Sequence, residues 1–90
     1  MLTYDDCLAL CGLSKGEIAA IAEHEHVPEM LATEMGAYLC RNAAGERCIR
    51  RFILDDIVAA EARHDHRHAA MLRAVLKHFV ATHPNATPPE

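Results

Sequence analysis

Residues 46–63, ERCIRRFILDDIVAAEAR, decide how this chain folds. Apolar side chains recur there every three or four residues, which is the period of an α-helix buried along one side. The core-facing set is Ile49, Phe52, Ile53, Ile57 and Ala60. Leu54 and Val58 lie on the opposite side of the same helix. A helix that is apolar over much of its girth belongs at the centre of a bundle or at a subunit interface.

A second apolar stripe follows this segment without an intervening glycine or proline. Its members are Leu72, Val75, Leu76, Phe79 and Val80. At 100° per residue the two stripes differ in phase by roughly a third of a turn, so one straight helix cannot turn both to one core. The sequence therefore predicts a break near His64 and Asp65, with Asp65 as the N-cap of the next helix. Residues 46–82 are predicted to form an antiparallel helical hairpin.

Three shorter helices are predicted before residue 46, at about residues 3–11, 14–26 and 28–41. Ser14 and Glu17 have the spacing of a capping box, which marks the start of the second helix. Pro28 is suited to the first turn of the third helix. Residues 42–45 are predicted to connect the third helix to the segment that begins at Glu46.

The third helix offers two different faces for burial. If the large apolar side chains face the core, the inward residues of this helix are Leu31, Met35, Tyr38 and Leu39. Ala32, Gly36 and Cys40 form a stripe of small residues at i, i+4 and i+8. Because glycine inside a helix costs about 1 kcal/mol relative to alanine, such a stripe indicates close approach of another backbone. That contact lies either within the molecule or at a dimer seam.

Length and composition describe one small domain. The chain has 90 residues, of which 51% are hydrophobic and only 4% are aromatic, so the core is aliphatic. Nowhere do β-branched residues alternate with polar ones over the length of a strand, and the predicted fold is an all-α compact bundle of four to five short helices. Residues 1–83 are predicted to form this domain and residues 84–90 a disordered, proline-containing tail.

The cell compartment is predicted from what the sequence lacks. The sequence contains no apolar run long enough to span a membrane. Its first residues do not have the basic segment followed by an apolar segment that is typical of a signal peptide. We therefore expect a cytoplasmic protein that does not contact membranes. In that compartment its four cysteines would be reduced.

Charge is divided unevenly along the chain. Residues 1–40 carry one base and seven acids, a net charge of −6, whereas residues 41–90 carry eight bases and six acids, a net charge of +2. Opposite charges on two parts of one molecule favour a protein partner or a second copy of the chain. The leading interpretation is a non-enzymatic protein-interaction domain that self-associates. Its predicted interaction residues are Leu54, Val58, Ala32, Gly36, Arg47, Arg50 and Arg51.

Arginines are concentrated around the start of the fourth helix. Arg41, Arg47, Arg50 and Arg51 fall within eleven residues that contain a single acid, Glu46. The favoured interpretation is pairing with acids of the same or another subunit. A phosphate or nucleic-acid backbone is the alternative. Reading of DNA by the helix–turn–helix outline of residues 14–39 is disfavoured, because residues 28–40 contain no base and phosphate contacts dominate DNA affinity.

Histidines and acids are enriched at two predicted helix ends, which raises a metal-binding alternative. The predicted ligands are Glu23, His24, His26, Glu61, His64, His66 and His68, with Glu34 and Asp56 as additional carboxylates. Glu23 with His26, and Glu61 with His64, have the Glu-x-x-His spacing of di-iron bundles. A simpler metal-binding alternative is a single zinc, nickel or copper ion held by histidines at the surface. A metal site requires the two histidine-containing segments, residues 24–26 and 64–68, to meet in the folded chain. If they do not meet, these side chains are solvent-exposed residues at helix ends, and the protein needs no cofactor.

The sequence also bears on two other functions, pH sensing and catalysis. Protonation of all seven histidines changes the formal charge from −4 to +3, which suggests pH sensing. Catalysis is disfavoured, because the sequence has no Gly-x-Ser-x-Gly, phosphate-binding glycine loop or His-Glu-x-x-His motif. The adjacent acids Asp55 and Asp56 point to different sides of a helix and form no acid/base pair.

Overall fold

Four α-helices and one 3-10 turn make up the part of the chain, residues 13–86, that the computed structural model describes. They are α1 (Lys15–Glu25), α2 (Glu29–Leu39), α3 (Ala43–Ala62), α4 (His66–Thr82) and the turn Pro84–Ala86. No strand occurs in these residues, and the all-α prediction is confirmed. The helix predicted at about residues 3–11 lies outside the described residues.

Two helix starts follow the predicted capping residues. The Ser14 hydroxyl accepts from the Glu17 amide at 3.3 Å, and the Ser14 amide donates to Glu17 Oε1 at 3.0 Å, so the capping box is complete. Asp65 caps α4 by accepting from the His68 amide at 3.2 Å. Both side chains satisfy backbone donors that the first turn of a helix leaves without partners.

Helix α3 begins three residues earlier than predicted, at Ala43. Asn42 is its N-cap and accepts from the Gly45 amide at 2.8 Å. The segment expected to be a connection is therefore the first turn of the helix. Gly45 permits this start, because a Cβ atom at that position would overlap the Leu39 carbonyl at the end of α2.

Helix α3 lies at the centre of the molecule, as its apolar pattern predicts. It packs against α1, α2, α4 and the 3-10 turn. The fully buried aliphatic residues of α3 are Ile49, Ile53 and Ala60, and α1 contributes Ile18 and Ile21 to the same core. Among the buried hydrophobic residues of the described part of the chain, all are aliphatic except Phe79 of α4, which is fully buried.

The predicted C-terminal hairpin is confirmed. Helices α3 and α4 make the most extensive contact of any two helices in residues 13–86. The chain reverses at His64, whose φ of 60° lies in the left-handed region. The Asp65 amide donates to the Ala60 carbonyl and the His64 amide to the Glu61 carbonyl, both at 2.9 Å. These two bonds form a Schellman motif that ends α3 without a glycine.

The orientation of α2 differs from the prediction based on side-chain size. Tyr38 and Leu31 face solvent, whereas Ala32, Thr33 and Gly36 are buried. A Cβ atom on Gly36 would lie 2.5 Å from Leu13 Cδ1, which shows how closely this face approaches the core. The small face packs against α1 because it brings the two backbones together. The larger side chains are left at the flank and outside.

The C-terminal boundary also differs from the prediction. Residues 84–86 form a 3-10 turn rather than part of a disordered tail, and Ala86 is fully buried. The rings of Phe79 and His83 stack with centroids 4.5 Å apart just before this turn. Residues 87–90 lie outside the described part of the chain.

The folded molecule is flat. Its radius of gyration is 12.6 Å and its principal extents are 41 × 34 × 17 Å. Helices in residues 13–86 are too short or too polar to cross a membrane.

Candidate interaction surfaces and the histidine–carboxylate cluster

An apolar groove runs between α2 and α3. It has a volume of about 380 Å³ and is open to solvent. Its lining, which we call the α2–α3 groove, consists of Leu31, Glu34, Met35, Tyr38, Leu39 and Phe52. Glu34 is the only charged residue among them. The groove exists because the small face of α2 takes the buried position, which leaves the larger side chains of this helix around an opening.

The outer face of α2 beside this groove exposes large apolar side chains. Tyr38 is 68% exposed, Met30 48% and Leu31 45%. Three of the five large exposed apolar residues within residues 13–86 are thus on one helix of eleven residues. A contiguous exposed apolar area beside a groove is typical of an interaction site, whereas scattered single residues are not.

Five of the predicted interaction residues share the outer face of α3. At helical spacing they form one line, which we call the α3 outer stripe: Arg47, Arg50, Arg51, Leu54 and Val58. Val58 is 67% exposed, and Arg50 and Leu54 are half-buried. Arg47 and Arg51 are exposed as well, so three of these five predicted residues face solvent.

Ala32 and Gly36 were also predicted to be interaction residues, and this prediction is wrong for the folded chain. Ala32 is fully buried, and a Cβ on Gly36 would meet side chains of Leu13, Ile18 and Ile21. The close contact that the small-residue stripe indicated is therefore made with α1 of the same molecule. A partner cannot reach this face without displacing α1.

Histidine–carboxylate contacts join α1 to both helices of the hairpin. His68 Nε2 lies 2.6 Å from Glu23 Oε1, and His78 Nδ1 lies 2.7 Å from Glu17 Oε2. These contacts join α4 to α1. His24 lies between α1 and α3, with its Nε2 3.3 Å from Asp55 Oδ2. The ends predicted to carry histidines and acids therefore do meet, but as separate pairs.

The predicted metal ligands do not form one site. The His24 ring stacks on Phe52 with centroids 4.3 Å apart, and Glu61 pairs with Arg73 of α4. His26, His64 and His66 are exposed. Within residues 13–86, no three histidine, cysteine, aspartate or glutamate side chains are placed to hold a metal ion. The hydrogen bond between Glu23 and His68 joins the two segments.

Asp56 is a buried carboxylate close to these pairs. It is 6% exposed, and its Oδ2 has no hydrogen-bond partner among the described residues. Burial, and to a smaller extent the charges of Glu23 and Asp55, raise the pKa of the Asp56 carboxyl from 3.8 to about 6. The rings of His24 and His68 act in the opposite direction and lower it. Asp56 therefore titrates close to neutral pH.

Sequence reasoning missed the α2–α3 groove and the exposure of Tyr38 and Leu31. Both follow from the choice of the small face of α2 for burial. The signal was present in the stripe of Ala32 and Gly36, which indicated close packing, but side-chain size pointed to the opposite orientation. Asp56 was singled out only as an additional carboxylate for a metal site, and the structure shows that it is buried.

No protein-family model, curated protein or solved structure matches this chain. Its function is therefore argued from its own residues.

Proposed function

We propose that this protein is a non-enzymatic interaction domain that forms a homodimer through the outer face of α2 and the α2–α3 groove. The observation that carries the proposal is the exposure of Met30, Leu31 and Tyr38 beside an apolar groove on the same helix. Burying exposed apolar area is the main driving force of protein association. Tyrosine is also among the residues that contribute most to binding energy.

The geometry favours a second copy as the partner. A two-fold symmetric interface requires one surface to hold both the protruding side chains and the groove that receives them. Tyr38 and Leu31 are exposed on α2 and also line the groove, so one surface carries both features. An α-helix laid in an apolar groove is a recurrent mode of recognition.

Charge complementarity supports an antiparallel pairing of the two α2 helices. Glu34 is exposed on α2, and Arg41, seven residues later, is exposed in the turn just after the C-terminal end of this helix. Neither lies in an ion pair with another residue of the described part of the chain. Arg41 lies over the Tyr38 ring, 5.7 Å from its centroid. In an antiparallel pair, Glu34 of each copy faces Arg41 of the other, which compensates both charges.

Sedimentation equilibrium of the full chain over the micromolar range tests the proposal. We expect a dimer whose dissociation constant rises at least about tenfold in Tyr38→Ser, because a central aromatic contact is lost. Met71→Ser on α4 is the matched control, since Met71 is also exposed, at 55%, but lies away from α2. A wild-type protein that stays monomeric throughout this range overturns the proposal.

Charge reversal tests the orientation of the two copies. Glu34→Arg or Arg41→Glu alone places like charges together twice in the dimer, and we expect each to weaken association by about tenfold. The double variant Glu34→Arg/Arg41→Glu restores opposite charges and is expected to dimerise like the wild type. If both single variants weaken the dimer and the double variant does not recover, the antiparallel arrangement is wrong.

A further inference from the structure

The α3 outer stripe is a second exposed surface, on a different helix from the proposed dimer contact. Arg47 and Val58, at its two ends, are eleven residues apart, which is about 16 Å along an α-helix. The arginines occupy the half nearer the start of α3, and Leu54 and Val58 occupy the other half. Three of its five side chains, Arg47, Arg51 and Val58, are exposed, whereas Arg50 and Leu54 are half-buried.

The arginines of the stripe form no ion pair with the acids nearest to them in α3. Glu46, four residues before Arg50, is buried, and Asp55, four residues after Arg51, contacts His24 instead. None of the three arginines is within ion-pair distance of a carboxylate in residues 13–86. The N-terminal end of α3 adds positive potential, since helix dipoles favour negative charge there. A chain of net charge −4 therefore presents a locally positive surface.

The apolar half of the stripe indicates the class of partner. A nucleic-acid backbone would use the arginines but would leave Val58, which is 67% exposed, without a contact. A protein helix with acids in one half and aliphatic side chains in the other would use both halves. The net negative charge of the chain also opposes a long polyanion.

We infer that the α3 outer stripe binds an acidic amphipathic helix of another protein. Carboxylates of the partner lie over Arg47, Arg50 and Arg51, and its aliphatic side chains cover Leu54 and Val58. The arginines set orientation and association rate, whereas the apolar contact sets the residence time. The stripe shares no residue with the α2–α3 groove, so this inference and the proposed dimer fail independently.

Fluorescence anisotropy with a labelled synthetic peptide tests the inference. The probe is a Glu/Leu helix with glutamates in its first half and leucines in its second, added to the full chain. We expect saturable binding that weakens as salt rises. Arg47→Ala/Arg51→Ala and Val58→Ser should each weaken it, by about tenfold for the double variant. Arg67→Ala, an exposed arginine on α4, is the matched control and should not.

Four outcomes overturn the inference. The first is the absence of binding by the Glu/Leu peptide. The second is equal binding by a scrambled peptide of the same composition, or tighter binding by oligothymidylate. The third is unchanged affinity in Val58→Ser, which would leave the apolar half without a role. The fourth is conversion of the dimer to a monomer by Arg47→Ala/Arg51→Ala, which would assign the stripe to a second copy. Each variant changes an exposed residue, so circular dichroism should show wild-type helicity.

Discussion

Asp56 is a buried carboxyl group whose ionised form is disfavoured by its surroundings. Its neighbours come from three helices: Glu23 and His24 from α1, Asp55 from α3 and His68 from α4. The two histidine rings partly offset the cost of burying the charged carboxylate, but Oδ2 gains no hydrogen bond from the described residues. An unsatisfied buried acceptor costs about 1–3 kcal/mol. Asp56 therefore reduces stability whenever it is ionised.

The pH dependence of this effect has a definite sign. Because the folded-state pKa of Asp56, about 6, lies above its ordinary value of 3.8, the folded chain holds this proton more tightly than the unfolded chain. The stability from this group is fully present below about pH 4 and is lost as pH rises through about 6. Asp56→Asn should therefore raise the free energy of unfolding at pH 7.5, by up to about 3 kcal/mol, and much less at pH 4.5.

Urea denaturation at these two pH values measures the difference, with Glu29→Gln as the control. Glu29 is exposed and is not among the charges that shift the pKa of Asp56, so its replacement should give no gain at either pH. An equal effect of Asp56→Asn at both pH values would show that the ionised carboxylate carries no penalty.

Burial at the residue scale could be predicted for α3 but not for α2. Ile49 and Ile53 belong to one long apolar stripe, and such a stripe can be buried in only one orientation. In α2, side-chain size favours Tyr38 inward, whereas backbone proximity favours Gly36 inward. Close packing of two helices depends on the shape of the partner, here Leu13, Ile18 and Ile21. That shape cannot be obtained from the sequence of α2 alone.

Two helices in residues 13–86, α1 and α4, begin at the capping residues that the sequence predicts, whereas α1 and α3 end at residues that are not typical of a helix end. Ser14 and Asp65 cap helices with their side chains, a chemistry that is visible in the sequence. The ends of α1 and α3 instead pass through His26 and His64, with φ of 57° and 60°. Glycine is the usual residue there, so its absence hides the boundary. For α3 and α4, only the phase difference between the two apolar stripes revealed the break.

A glycine at position 64 should stabilise the protein. A non-glycine residue in the left-handed region costs about 1 kcal/mol. This cost exceeds the free energy that a glycine loses on folding because its unfolded chain is more flexible. We expect His64→Gly to raise the free energy of unfolding by about 0.5 kcal/mol. The melting temperature measured by differential scanning calorimetry should rise by a few degrees.

His66→Gly is the matched control for this substitution. His66 is also exposed and contacts the His64 ring, with centroids 6.1 Å apart, but it lies at the first residue of α4. Glycine there should lower stability or leave it unchanged. If both variants stabilise equally, the gain does not come from the left-handed backbone at residue 64.

At the scale of the whole molecule, the C-terminal turn completes the core beside α3. Ala86 is fully buried and its turn packs against both α3 and α4. The sequence could not indicate this, because proline and asparagine before a single alanine are also typical of a tail.

The candidate interaction surfaces were predictable only in part. The α3 outer stripe follows from helical periodicity, whereas the α2–α3 groove depends on how two helices meet.

Ala86→Asp tests whether the turn belongs to the core. A carboxylate at this position would be buried without a partner, and we expect a loss of about 2 kcal/mol or more in unfolding free energy. Asn85→Asp adds the same charge one residue earlier at an exposed position, and we expect no comparable change. Thermal denaturation of the two variants at neutral pH gives the comparison. Similar stability of the two would mean that the turn contributes nothing to the core.

The flatness of the molecule limits how many of its charges can be withdrawn from water. Its backbone spans only 17 Å along the short axis, and an α-helix with its side chains is about 10–12 Å across, so helices lie at most about two deep along this axis. Most ionisable side chains in residues 13–86 are therefore exposed or half-buried, whereas Asp56 is buried. Added salt screens the exposed charges and acts much less on a buried one, so it should weaken the surface ion pairs while leaving the cost of burying the Asp56 carboxylate largely intact.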